Sequence, residues 1–242
     1  TTMVQLPVAN VTDLERYEGM LVQMSAASGN LTVTEYFELG RFGQVVLSAD
    51  GASNQAGTDA RLDQYTQFNA PSTAGYTAYL AEIAKRQIIL DDGISIQNPD
   101  PILFGRGGNP LSAFNTLRGG DQVGSIEGIL DHRFEGYRIQ TTTSPNFMTT
   151  NIRPATPPAV GGTIKIASFN VLNYFNGNGA GGGFPTARGA TTLAEFTRQR
   201  DKIINAITAS GADVIGLMEI ENDGYDASSA IQDLVNGLNA VA

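Results

Sequence analysis

Residues 164–223 constrain the fold of this chain more than any other stretch. IKIASFNVLNYF (164–175) begins with alternating apolar side chains. TTLAEFTRQRDKIINAITAS (191–210) then carries Leu193, Phe196, Ile203, Ile204 and Ile207 on one broad face. ADVIGLMEIEND (212–223) is apolar until it reaches acids at its exit. Thr192 and Glu195 form a capping-box pattern before the helix, and Gly211 stops it. A last helix follows, with Ile231, Leu234, Val235 and Leu238 on one stripe and Ser229 as its cap. Strand, helix, strand, helix predicts an α/β domain whose central strands are covered on both faces.

That order directs attention to two polar residues. Glu219 closes the apolar run 214–218, so its carboxylate sits at the carboxyl edge of the sheet, where ligands bind in α/β folds. It is either a ligand for a hard cation such as Mg2+ or Ca2+, or a solvated strand-end acid. Asn170 ends the preceding strand in the same way. If the two strands pair in parallel through the helix, both side chains emerge at one edge. The amide is then a phosphate or ligand-orienting group that adds no negative charge, or a cap on the loop that follows. GNGAGG (177–182) matches GxGxxG but opens no helix at once, which favours a mobile loop beside the site over a dinucleotide cradle. Glu221 and Asp223 either extend a metal site or lie in a solvated exit loop. Arg198 and Arg200 either meet phosphates or, as the default, pair with Glu195 or Asp201 at the surface.

Upstream the texture is different. Short runs rich in valine and aromatics at 17–24, 31–37, 43–48, 86–93, 122–134 and 136–141 read as strands, with one helix around 75–86. Five or six strands and a helix suit a small closed barrel of the oligonucleotide/oligosaccharide-binding (OB) type. Residues 143–163, with Pro145, Pro154, Pro157, Pro158 and Gly161–Gly162, read as a linker. The expected organisation is a β-barrel domain over 1–142, a linker over 143–163 and an α/β domain from 164 to 242.

Charge and composition narrow the chemistry. The chain has no cysteine, which excludes disulfide scaffolds, thiol nucleophiles and thiolate zinc sites. Its formal charge of −9 is not the basic footprint of a passive nucleic-acid binder. An enzyme whose metal ions offset phosphate charge remains compatible with it. No apolar run approaches the ~18 residues that span a bilayer.

IKIASFNVLNYF, RGATTLAEFTRQRDKIINAI and GLMEIEND together closely resemble the start of the endonuclease/exonuclease/phosphatase superfamily. They are most similar to its branch of secreted bacterial nucleases with an N-terminal barrel. LTVTEYFELGRFGQVVLS and GILDHRFEGYRI resemble that preceding barrel. The resemblance implies an OB-like β-barrel followed by the first part of a DNase I-like α/β sandwich. It implies a metal-dependent phosphodiesterase, an extracellular nuclease of low sequence preference acting on DNA or RNA with Mg2+, Ca2+ or Mn2+. A phosphatase or phospholipase of the same superfamily and a non-catalytic binding module are the alternatives. Asn170 matches the family residue that helps hold phosphate and metal, and Glu219 matches the metal-binding Glu. In the barrel, Tyr36, Phe37, Arg41, Phe42, Arg133 and Tyr137 are candidates for contact with single strands, or else members of the core. The family's catalytic His and later acidic residues have no counterpart here, since the one histidine, His132, lies in the barrel. The catalytic domain is therefore expected to be incomplete, with an exposed sheet prone to self-association.

Overall fold

The computed structural model describes residues 1–49, 61–112, 114–134, 136–141 and 143–241. They form two compact units, Thr1–Ile152 and Arg153–Ala242.

The first unit is built from β1 (Thr2–Leu6), a 3-10 turn (Val11–Tyr17), β2 (Leu21–Ala26), β3 (Leu31–Glu35), α1 (Leu39–Phe42) and β4 (Gln44–Ala49). It continues with α2 (Tyr65–Phe68), α3 (Thr73–Ala84), β5 (Gln87–Asp91), β6 (Gln122–Val123), β7 (Ser125–Arg133) and β8 (Gly136–Thr141). Its strands form one curled eight-stranded half-barrel in the order β1-β2-β7-β8-β5-β4-β3-β6. The sequence predicts fewer strands because β1 is short and β6 is only two residues long. Alternation drives the curl: Val22, Met24 and Ala26 of β2 and Ile126 and Leu130 of β7 point into one core with Leu6, Leu47, Leu90 and Ile139. α3 forms where its spacing predicts, but Tyr76 and Leu80 stay about half exposed and no α3 residue is buried. The proline-containing segment after β8 splits in two. Phe147 is buried against Phe104, and Asn151 N–H donates to Asp121 at 3.1 Å, so residues up to 152 pack with the first unit.

The second unit contains β9 (Ile166–Tyr174), α4 (Leu193–Ser210), β10 (Val214–Ile220) and α5 (Ala230–Asn239). β10 pairs with β9 in parallel, Val214 opposite Ile166 and Met218 opposite Asn170. α4 supplies the crossover that a parallel pair requires. Phe196, Ile203, Ile204 and Ile207 of α4 are buried with Leu234 of α5, and Phe169, Ile215 and Leu217 of the inner sheet face pack against this cluster.

The expectation of cover on both sheet faces fails within the described residues. Ile166, Ser168 and Asn170 of β9 and Val214, Gly216 and Met218 of β10 are all exposed. Ile166 is 77% exposed and Val214 55%. The apolar run of β10 therefore buries one face against α4 and α5 and leaves the other bare.

Candidate functional site at the end of the parallel strands

α4 fixes the geometry that brings Asn170 and Glu219 together. Thr192 Oγ1 accepts from Glu195 N–H at 3.2 Å, and Glu195 Oε2 accepts from Thr191 and Thr192 N–H at 2.7 and 3.2 Å. Gly211 ends the helix with φ of 58°, the left-handed conformation that glycine adopts without a Cβ penalty. The chain then re-enters as β10 in parallel register, and both strands finish at the same edge.

The ladder breaks there. Met218 pairs with Asn170, yet the next pair is Ile220 with Tyr174. Glu219 occupies the irregularity with φ of +61°, and Leu172 and Asn173 face it with φ of +53° and +52°. Three non-glycine residues in left-handed backbone at one point mark strain that surrounding contacts must hold. One clamp is Gln199 of α4, whose Nε2 donates to the carbonyls of Val171 and Leu172 at 2.9 and 2.6 Å. Another is Gly189, where a Cβ would lie 2.4 Å from Asn173 O. Sequence reasoning missed Gln199 because it looks like one more polar residue on a helix. A glutamine close to the apolar stripe of an amphipathic helix is the available signal.

At this bulge Asn170 Nδ2 donates to Glu219 Oε1 at 2.8 Å, and Asn170 Oδ1 accepts from Leu172 N–H at 2.8 Å. Asn170 thus caps its own turn and also meets the carboxylate. Both side chains are exposed. Glu219 retains acceptor capacity beyond this one bond.

The neighbouring polar residues each have partners of their own, and Asp223 lies exposed in the exit loop after β10. Asn178 Oδ1 accepts from Ala180 and Gly182 N–H at 3.0 and 2.9 Å, so GNGAGG contains a hydrogen-bonded turn. A Cβ on Gly179 would lie 2.3 Å from Ser228 O, which explains a glycine there. Asp223 accepts from Ala230 N–H through both oxygens, at 3.1 and 3.0 Å, and so caps α5. Burial, with a smaller contribution from Asp223, pushes the Glu221 carboxyl above its ordinary value, and a bond from Asn176 N–H opposes this. Arg200 pairs with Asp233 of α5 at 3.1 Å, not with Glu195 or Asp201. Tyr174, fully buried, donates to the same carboxylate at 2.5 Å, and burial raises its phenol strongly.

The first-unit candidates are dispersed. Tyr36 and Phe37 follow β3, with Phe37 83% exposed. Arg41 lies 4.9 Å over the Phe42 ring. Arg133 pairs with Asp131 and lines a cavity of about 240 Å³ with Phe42, Gln44, Asp91 and Arg138. Tyr137 lines a different cavity, of about 250 Å³, lies 4.5 Å from the His132 ring at a tilt of 51° and donates to Glu15 at 2.8 Å. Burial and that bond push its phenol up to about 12.

A cation at the strand ends would rest on Glu219, since no group of three or more His, Asp or Glu side chains converges among the described residues. The donor set fits a hard, water-rich ion such as Mg2+, which commonly takes one or two protein carboxylates together with substrate phosphate. No helix among the described residues is long and apolar enough to cross a membrane. No family model, no curated protein and no solved structure matches the chain.

Proposed function

We propose that this chain carries phosphate- and cation-binding residues of a metal-dependent phosphodiesterase, an extracellular bacterial nuclease acting on DNA or RNA. The observation that carries the reading is the 2.8 Å bond from Asn170 Nδ2 to Glu219 Oε1 at the shared end of two parallel strands. It joins the two residues that the superfamily resemblance names. In this reading the first unit is an OB-like barrel and the second belongs to a DNase I-like sandwich.

The roles follow from the groups themselves. Glu219 would hold Mg2+, Ca2+ or Mn2+ through its remaining oxygen capacity. A cation bound there supplies charge stabilisation to the phosphate. Asn170 orients Glu219 with one amide proton and has a second to donate to a phosphate oxygen without adding charge. Leu172 N–H, bonded to Asn170 Oδ1, keeps that amide from turning over. Gln199 holds the bulge that aims the carboxylate outward.

The test is plasmid DNA cleavage in Mg2+ by the full-length gene product and its Glu219→Ala variant. Loss of about 100-fold or more in rate, with the melting temperature preserved, is expected. Retained cleavage overturns the assignment. Sphingomyelin and inositol phosphates serve as comparison substrates, and preference for either would move the activity to another branch of the superfamily.

A further inference from the structure

A second set of oxygens lies beyond β10, and it is distinct from the Glu219 edge. Asn176, on the chain leaving β9, is only 3% exposed. Its Nδ2 donates to Ser228 O at 2.8 Å, which fixes the orientation of the amide and turns Oδ1 away from Ser228. Oδ1 is buried and has no hydrogen-bond partner. Glu221 N–H donates to Tyr174 O at 3.0 Å, which sets this residue beside the chain leaving β9, and Glu221 Oε2 is also buried without a partner. Asp223 accepts from Ala230 N–H at the start of α5 through both oxygens, two residues beyond the Ser228 carbonyl that holds Asn176.

Two buried acceptors without donors, beside a second carboxylate, are costly in a folded protein unless a proton donor, a water or a cation meets them. We propose that Asn176 Oδ1, Glu221 Oε2 and the Asp223 carboxylate form a calcium site. It would tie the exit of β10 to the turn after β9 and to the first turn of α5. A neutral amide oxygen with two carboxylates on irregular backbone suits Ca2+, which accepts six to eight oxygens with flexible geometry. Mg2+ demands a near-ideal octahedron and fits such a loop-borne set poorly. The site is structural: it orders the segment that follows Glu219 and does not itself reach a substrate.

The measurement is Ca2+ titration of the chain, read by thermal melting and by tyrosine-sensitised Tb3+ emission that Ca2+ displaces. The chain has eight tyrosines and no tryptophan, so tyrosine is the sensitiser. Saturating Ca2+ should raise the melting temperature by roughly 5 °C. Equimolar Mg2+ should give a smaller shift. Glu221→Gln should abolish the Ca2+ shift, and Asp223→Asn, which keeps an acceptor for Ala230 N–H, should weaken Ca2+ about tenfold. Glu219→Gln should retain the part of the shift that Glu221→Gln removes. No Ca2+ shift in the unaltered chain, an undiminished shift in Asp223→Asn, or loss of the shift in Glu219→Gln would each overturn the proposal. The last result would assign the ion to the strand-end edge, whereas failure of the calcium site alone leaves the phosphodiesterase reading standing.

Discussion

Compare the buried carboxylates of the first unit with Glu219 in the second. Asp121 is fully buried and accepts from Arg106 Nε and Nη2 at 2.8 and 3.0 Å, from Arg118 N–H at 2.9 Å and from Asn151 N–H at 3.1 Å. Asp91 accepts from Arg138 Nη1, Gln44 Nε2 and Gly93 N–H, each at 2.8 Å. These groups have spent most of their lone pairs on the protein and are structural. Glu219 accepts one side-chain bond, from Asn170, and is held exposed by backbone in an unfavourable region. Unspent acceptor capacity, combined with strain, separates a ligand-competent carboxylate from a girder.

The largest expected effect tests the saturated side of this contrast. Asp121→Ala strands the Arg106 guanidinium and two backbone donors, and should cost about 3–5 kcal/mol in urea denaturation. A cost below about 1 kcal/mol would show that Asp121 is not structural in this sense. In the second unit, Tyr174→Phe removes a hydrogen bond to the Asp233 carboxylate and should cost about 1.5–3 kcal/mol. If the cost is near zero, the Tyr174–Asp233–Arg200 group does not hold α4, β9 and α5 together.

The strained side predicts the opposite sign. Glu219→Gly relieves a left-handed glutamate and should stabilise by up to about 1 kcal/mol while abolishing the proposed cation binding. Destabilisation, as for an ordinary glycine in a strand, would remove strain from the account. The smallest effect concerns Asp92, which is buried and has Oδ2 unpartnered, while Oδ1 accepts from Ile94 N–H at 2.8 Å. Burial raises its carboxyl above the ordinary value, opposed by the Ile94 bond and aided by Asp91. The folded state therefore favours the protonated form. Stability from this group is present below the unfolded carboxylate value of about 3.9 and is lost as pH rises through the raised folded value. Asp92→Asn should thus match the parent in acid and gain a few tenths to about 1 kcal/mol at neutral pH. A gain that does not grow with pH would contradict the assignment.

Much of the second unit was legible because its signals are local. The Thr192–Glu195 box, the α4 stripe and Gly211 each act within a few residues, and all three operate as the sequence predicts. The meeting of Asn170 and Glu219 could be anticipated from parallel pairing, since both close apolar strands. The bulge could not, because it depends on Gln199 and Gly189, which are distant in sequence from Glu219. In the first unit, α3 was visible from its spacing, but its exposure was not, since burial depends on what packs against a helix. The aromatic candidates failed to converge for a related reason. Tyr137 shows its ring in the sequence, whereas its partners His132 and Glu15 are fixed by strand register and by the turn before β2.

The bulge at Glu219 also makes this strand end a matter of parity. Met218 faces the bare side of the sheet, so strict alternation would turn residue 219 toward the side covered by α4, together with Leu217. The left-handed backbone of Glu219, opposite a stretch where β9 advances four residues while β10 advances two, breaks that count and sends the carboxylate outward. Deleting a single residue within 214–218 would therefore exchange the faces of the preceding strand without any change in its apolar character. What specifies the edge is an odd or even number of residues before it, a property that composition does not contain and that a single-codon deletion can reverse.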